Sequence, residues 1–168
     1  MRALVWIAEG TWAGCVDAAR ALLPSEAEVT LLHVTPSEVI EAGSGALAGL
    51  LGRGSRRESA GMQRVLDRGA DDLLDAAVAR FGRPAHLERR TGRVEREVVA
   101  AAGGADVLVL ARDGDRDRLG PRSFGPATRF VVDHAPCDVV LVWPDLAPDL
   151  RSLPPPPEEG PPRSGPPR

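Results

Sequence analysis

The chain has 168 residues, 43% apolar and 27% charged, which suits one globular domain with a single buried core. Its formal charge is -3, and every basic residue apart from the three His is Arg, so no overall positive field draws it to nucleic acid or an anionic membrane. Cys15 and Cys137 stand far apart and form no C-x-x-C pair, which argues against a thioredoxin-type or metal role and leaves two thiols as core residues.

Leu4 to Ala8 reads as a buried strand. Glu9 and Gly10 end its apolar run too early for a signal peptide or a membrane span, so a cytoplasmic location is expected. Thr11 is placed to cap a helix through its hydroxyl, with Trp12, Cys15, Ala19, Leu22 and Leu23 on one stripe. Glu28 to Val34 gives a second strand, stopped by Thr35-Pro36 because Pro lacks a backbone donor. Between Ser37 and Arg57, glycines at 43, 45, 49, 52 and 54 predict a mobile connection with at most a turn or two of helix. Met62, Val65, Leu66, Leu73, Ala77 and Phe81 then recur at helical spacing, and Gly82 with Pro84 ends this longest helix.

Ala85 to Arg90 is a third strand whose Arg and Glu content predicts an edge position. Val94, Val98 and Ala102 set a short helix ended by Gly103-Gly104, and Ala105 to Ala111 is the clearest buried strand. A polar loop runs from Arg112 to Phe124. The last helix begins at Gly125-Pro126, where Pro needs no hydrogen bond, and Pro136 stops it just after His134. Asp138 to Trp143 is the fifth strand. Strands that alternate with helices predict an α/β fold, a doubly wound parallel sheet with helices on both faces as a three-layer arrangement. The domain is expected over 1–145 and a disordered Pro-rich tail over 146–168; Leu153 to Arg168 is half Pro and cannot bury enough apolar area to offset ordering.

Leu31-Leu32-His33-Val34, the run Gly104 to Leu110, and the run His134 to Val142 occur in an order that resembles the universal stress protein family, over roughly Arg2 to Trp143. The resemblance implies a Rossmann-like fold of the adenine nucleotide alpha hydrolase-like type, five strands in the order 3-2-1-4-5, and in ligand-binding members ATP at the switch point between strands one and four. A crevice there also follows from topology, because the loops after those strands diverge to opposite faces. The residues that would line it are Ala8, Glu9 and Gly10, then Val34 and Thr35, and the stretch from Ala111 to Pro126.

The family's motif after strand four is Gly, two residues, Gly, nine residues, then Gly with Ser or Thr. Gly114 and Gly125 match its second and third glycines, but Ala111 replaces the first, the spacer Asp115 to Phe124 is ten residues, and Pro126 replaces the hydroxyl residue and removes an amide. Glu9 is the nearest match to the family's Asp after strand one. These departures predict a weakened or lost site for ATP or AMP, with no resident cofactor and no metal. The expected function is a non-enzymatic, stress-response binding protein, homodimeric through the apolar edge Val139, Val140, Leu141, Val142 and Trp143. The alternative is an ATP- or AMP-responsive switch, and a third reading is a partner-binding scaffold using Trp12 or the tail.

Other motifs carry less. Gly49 to Ser55 resembles a P-loop but lacks its Lys and has no strand leading into it. His33, His86 and His134 fall in separate elements and suggest no metal set. There is no G-x-S-x-G elbow, and Asp71, Asp72 and Asp75 read as a solvated helix face, so catalysis is not expected.

Overall fold

The computed structural model describes residues 1–38 and 55–153, with side chains from residue 60 onward in the second stretch. The expected Gly-rich connection, the P-loop-like run at 49–55 and the tail beyond 153 lie wholly or largely outside these. Strands β1 (Arg2–Trp6), β2 (Glu28–Pro36), β3 (His86–Gly92), β4 (Val107–Ala111) and β5 (Asp138–Val142) form one parallel sheet in the order β3-β2-β1-β4-β5. Helices α1 (Trp12–Leu22), α2 (Ser55–Phe81), α3 (Val94–Ala102) and α4 (Pro126–His134) connect and cover it.

The near-continuous apolar runs of the central strands reflect burial on both faces. Side chains alternate along a strand, so Val5, Ile7, Leu31 and Val109 pack on one face with Cys15, Val16, Ala19, Leu74 and Phe81 of α1 and α2. Leu4, Trp6, Leu32, Leu108 and Leu110 pack on the other with Val98, Ala102 and Val131 of α3 and α4. Burial pushes the Cys15 thiol up to about 12, which suits a core residue and not a reactive one.

Several expectations need correction. Strand β1 ends at Trp6, so Ala8 lies beyond it, although Ile7 still donates its N–H to the Leu32 carbonyl at 2.8 Å. The Thr11 hydroxyl does not cap α1; it donates back to the Ala8 carbonyl at 3.3 Å and closes the turn after β1. Leu22 is exposed, and Val16 takes its place in the buried stripe of α1.

Strand β2 runs two residues past the expected stop, with Pro36 paired to Gly92. Its register with β1 ends at Leu32, so at Pro36 one side of the strand faces no neighbour and the missing donor breaks no ladder there. Helix α2 begins earlier than expected and spans 27 residues, about 40 Å at 1.5 Å per residue. It therefore outruns the sheet: Met62 and Val65 are exposed, while Ala70, Leu74, Ala77 and Phe81 are buried. Strand β3 sits at the sheet edge as its charges predict, with Glu88 and Arg90 paired at 2.6 Å. Trp143 lies just past the end of β5, outside the strand.

Within the stretch expected to be tail, Leu150–Ser152 form a 3-10 turn, and the Leu119 N–H donates to Ser152 Oγ at 3.1 Å. No helix among the described residues is long and apolar enough to cross a membrane.

Candidate functional site

The strand order reverses between β1 and β4, and the loops leaving their C-terminal ends diverge there. The crevice between them is nearly closed. Trp6, Ala8, Thr11, Ala111, Asp113 and Thr128 line a space of only about 10 Å³. That is about one water's worth and far too small for a phosphate chain. Trp6 forms one of its walls, a role its place in an apolar run did not disclose.

Beside this crevice, over the ends of β1 and β2 and under the overhang of α2, lies a cleft of about 560 Å³. Ala8, Glu9 and Val34 line it, together with Trp6, His33, Thr35, Leu66, Ala70 and Val94. Four of the residues read from the sequence, Ala8, Glu9, Val34 and Thr35, therefore meet in this cleft. His33 joins them, and its Nδ1 lies 2.9 Å from the Ile7 carbonyl. A carbonyl can only accept, so Nδ1 carries the proton.

The remaining sequence-predicted residues stand apart from this cleft. Gly10 turns the chain after β1 with φ +73°, and its carbonyl accepts from the Arg116 guanidinium at 3.3 Å. Ala111 ends β4. Gly114 pairs its N–H with the Ser123 carbonyl at 3.0 Å. A side chain on Gly114 would run into the backbone of Arg122 and Ser123, so this glycine serves loop packing. Gly125 is the N-cap of α4 and Pro126 its first residue, as the sequence implied.

At that helix start the chain supplies its own anion. Asp113 reaches across the loop, and its Oδ1 accepts the Gly125 N–H at 2.7 Å. Carboxylates are favoured at helix N-termini because free amides and the dipole converge there. A phosphate approaching α4 would have to displace this carboxylate, and Pro126 offers it no amide in return.

Next to Asp113 the Arg112 guanidinium lies between the rings of Phe124 and Trp143, 4.6 and 4.7 Å from their centroids. It also donates to the buried Ser123 hydroxyl. Desolvation lowers its pKa from the ordinary arginine value, and its Nε is buried without a partner among the described residues. Arg112 is thus committed to holding the loop and does not face a ligand.

A broader hollow of about 760 Å³ lies further out, between Asp117–Arg122 and Arg151–Leu153. Its arginines are solvent-exposed and Asp117 offsets part of their charge. Among the described residues no group of three or more His, Cys, Asp or Glu is arranged to hold a metal ion.

The universal stress protein family matches residues 12–142. In structure the chain is similar to a hypothetical protein whose biochemical function was assigned from its structure, with a TM-score of 0.64, 17% identity, and coverage of 84% of this chain and 94% of that one. It is also similar to a universal stress protein in complex with cAMP, with a TM-score of 0.53, 16% identity, and coverage of 86% and 98%. A universal stress protein family member from Burkholderia pseudomallei gives 0.51, 18% identity, and coverage of 84% and 94%. No curated protein matches the sequence.

Proposed function

The chain belongs to the universal stress protein family, and from that premise we propose that it is a non-enzymatic, stress-response binding protein whose nucleotide site has kept room for a ring and lost its hold on phosphate. The binding unit is residues 1–145, acting as a cytoplasmic homodimer. Ala8, Glu9 and Val34 belong to the retained half of the site; Ala111, Gly114, Gly125 and Pro126 belong to the half that no longer serves.

One observation carries this reading: the Asp113 carboxylate accepts the Gly125 N–H at 2.7 Å, at the helix start where a phosphate would bind. The closed crevice at Trp6 and the proline at the first position of α4 point the same way. The structural neighbour solved with cAMP gives reason to include cyclic nucleotides among the probes. The rival reading, an ATP- or AMP-responsive switch, requires Asp113 to swing off Gly125 as nucleotide enters.

Titration calorimetry of ATP, AMP and cAMP with Mg²⁺ tests both. The expected result is no saturation by ATP below about 1 mM, equivalent to less than about 4 kcal/mol of binding. Asp113→Ala should then tighten ATP by about tenfold, while losing about 1 kcal/mol of stability with the cap. Micromolar ATP binding by the unmodified protein would overturn the proposal and put the switch in its place.

A further inference from the structure

Beyond β5 the chain turns back across the loops at the C-terminal end of the sheet. The Pro144 backbone lies so close to α1 that a Cβ on Gly14 would come within 2.7 Å of its Cα, and Asp145 pairs with Arg116 at 2.9 Å. From there to Leu153 the hold is slight. Leu146, Leu150 and Leu153 are 96%, 75% and 54% exposed. Among the described residues one hydrogen bond ties 146–153 to the rest of the protein, from the Leu119 N–H to Ser152 Oγ at 3.1 Å. The Ser152 hydroxyl donates its own proton to the Asp149 carbonyl at 2.7 Å. This tether opens onto the 760 Å³ hollow, whose described walls carry three cations, Arg118, Arg122 and Arg151, against the single carboxylate of Asp117. Arg151 Nε lies 3.6 Å from the Asp149 carboxylate, whereas Arg118 and Arg122 are exposed and make no side-chain hydrogen bond or ion pair among the described residues.

We propose that Ser152 is a phosphorylation site and that Arg118 and Arg122 receive its phosphate, fastening residues 146–153 to the loop between β4 and α4. A protein kinase needs the hydroxyl on a segment that can open into its active site. This segment, with three exposed leucines and a single hydrogen bond to the domain, opens at little cost. In the transfer, Ser152 Oγ bonds to the γ-phosphorus of a nucleoside triphosphate as the bond from that phosphorus to the β,γ-bridging oxygen breaks. The hydroxyl proton passes to the kinase's catalytic base, and the nucleoside diphosphate leaves. The product has lost the donor that bonded the Asp149 carbonyl but carries three acceptor oxygens and a charge of about -1.5 to -2 at pH 7. Those oxygens still accept the Leu119 N–H, and the guanidinium forks of Arg118 and Arg122 suit the others. The Asp149 carboxylate is already engaged by the Arg151 N–H at 2.8 Å, which leaves Asp117 as the opposing charge on the described walls of the hollow. The fastening works whether or not a nucleotide binds at the ends of β1 and β2.

The full chain carrying phosphate on Ser152, introduced as phosphoserine at an amber codon, is compared with the unmodified chain in thermal scans and limited proteolysis. Phosphate is expected to raise Tm by about 3 °C and to slow cleavage at Leu150 and Leu153 about tenfold. Arg118→Gln together with Arg122→Gln, at two exposed positions, should leave the Tm of the unmodified chain where it was and remove the gain from the phosphorylated one. A phosphorylated chain that melts no higher than the unmodified one, or that gains as much without the two arginines, overturns the proposal. So does an equal rise given to the unmodified chain by inorganic phosphate at matched ionic strength, which would make the hollow a site for the free ion. Mass spectrometry of the chain recovered from growing and from starved cells completes the test. Phosphate on Ser152 is expected in at least one of the two, and Ser152 found only unmodified in both defeats its use as a modification site.

Discussion

Arg112 does with one side chain what several loop residues would otherwise share. Its guanidinium stacks on Phe124 and Trp143, it donates to Ser123, and its backbone N–H joins the Val142 carbonyl at 3.0 Å, so β4, the loop and the end of β5 meet at one residue. Against this stands the desolvated Nε without a partner. Two cation–π contacts of about 0.5–1 kcal/mol each roughly balance an unpaired buried donor of about 1–3 kcal/mol, so the charge gains little and the packing of the stem decides. Arg112→Ala is therefore expected to lower Tm by about 5 °C, corresponding to about 2 kcal/mol in a chain of this size. Arg112→Met, which keeps the stacked bulk, should lower it by less than half as much. Equal losses in thermal scans of the two variants would show that the charge itself matters. Asp113, the next residue, shows what sequence reading reaches at this scale. Its bond to Gly125 spans twelve positions and depends on how the loop folds. The tautomer of His33 was beyond reach for a similar reason, since the carbonyl that sets it belongs to Ile7, just past the end of β1.

At the scale of elements, strand identity and order were legible because apolar runs between turn residues have few readings once helices alternate with them. Ends were less so. Strand β2 continues through Pro36 because β1 has already stopped, a fact about its neighbour. The exposure of Met62 and Val65 in α2 follows from length: helical periodicity continues whether or not a sheet remains beneath it. Below that overhang α1 and α2 are clasped by a two-point contact. Arg80 Nε and Nη2 donate to the two carboxylate oxygens of Asp17 at 2.8 and 2.6 Å. The Arg80 hydrogen bond holds the Asp17 carboxyl below its ordinary value. A carboxyl lowered in the folded state stabilises it above the unfolded pKa of about 3.9 and loses that contribution as pH falls through the folded value. Both groups are about half exposed, so the effect is modest. Asp17→Asn should therefore lower stability slightly at pH 7 and not at all at the acid end, with the two denaturation curves converging below about pH 4. Curves that stay parallel from pH 7 to pH 3 would show that the clasp contributes nothing.

For the molecule as a whole, the two ends of the sheet differ in a way that bears on assembly. Strand β3 closes one end with Glu88, Arg89 and Arg90, and charge of this kind blunts an edge against pairing. Strand β5 closes the other with Val139, Val140, Leu141 and Val142, none fully buried and each packed on one of the two core layers from below or above. An unpaired apolar edge needs a cover, and a second copy related by a two-fold axis offers an identical edge of complementary register. Trp143 contributes less to that edge than its position suggests, since Arg112 lies over its ring. A stable dimer would have to bury about 1,200–2,000 Å² in all, more than one short strand supplies. In the proposed dimer neighbouring surface must therefore join it, with the edge directing the pairing without accounting for all of its strength. A single charge at the centre of β5 is then sufficient as a probe: Leu141→Glu should sediment as a monomer at a concentration where the unmodified chain is a dimer. Leu87→Glu, at the partly exposed Leu87 of β3, should remain dimeric and serves as the matched control. Circular dichroism confirms that the Leu141→Glu variant is still folded, which matters because Leu141 also packs against the α3 and α4 layer. A folded Leu141→Glu dimer would move the interface away from β5, and a monomeric unmodified chain would mean that the edge is left uncovered by a second copy.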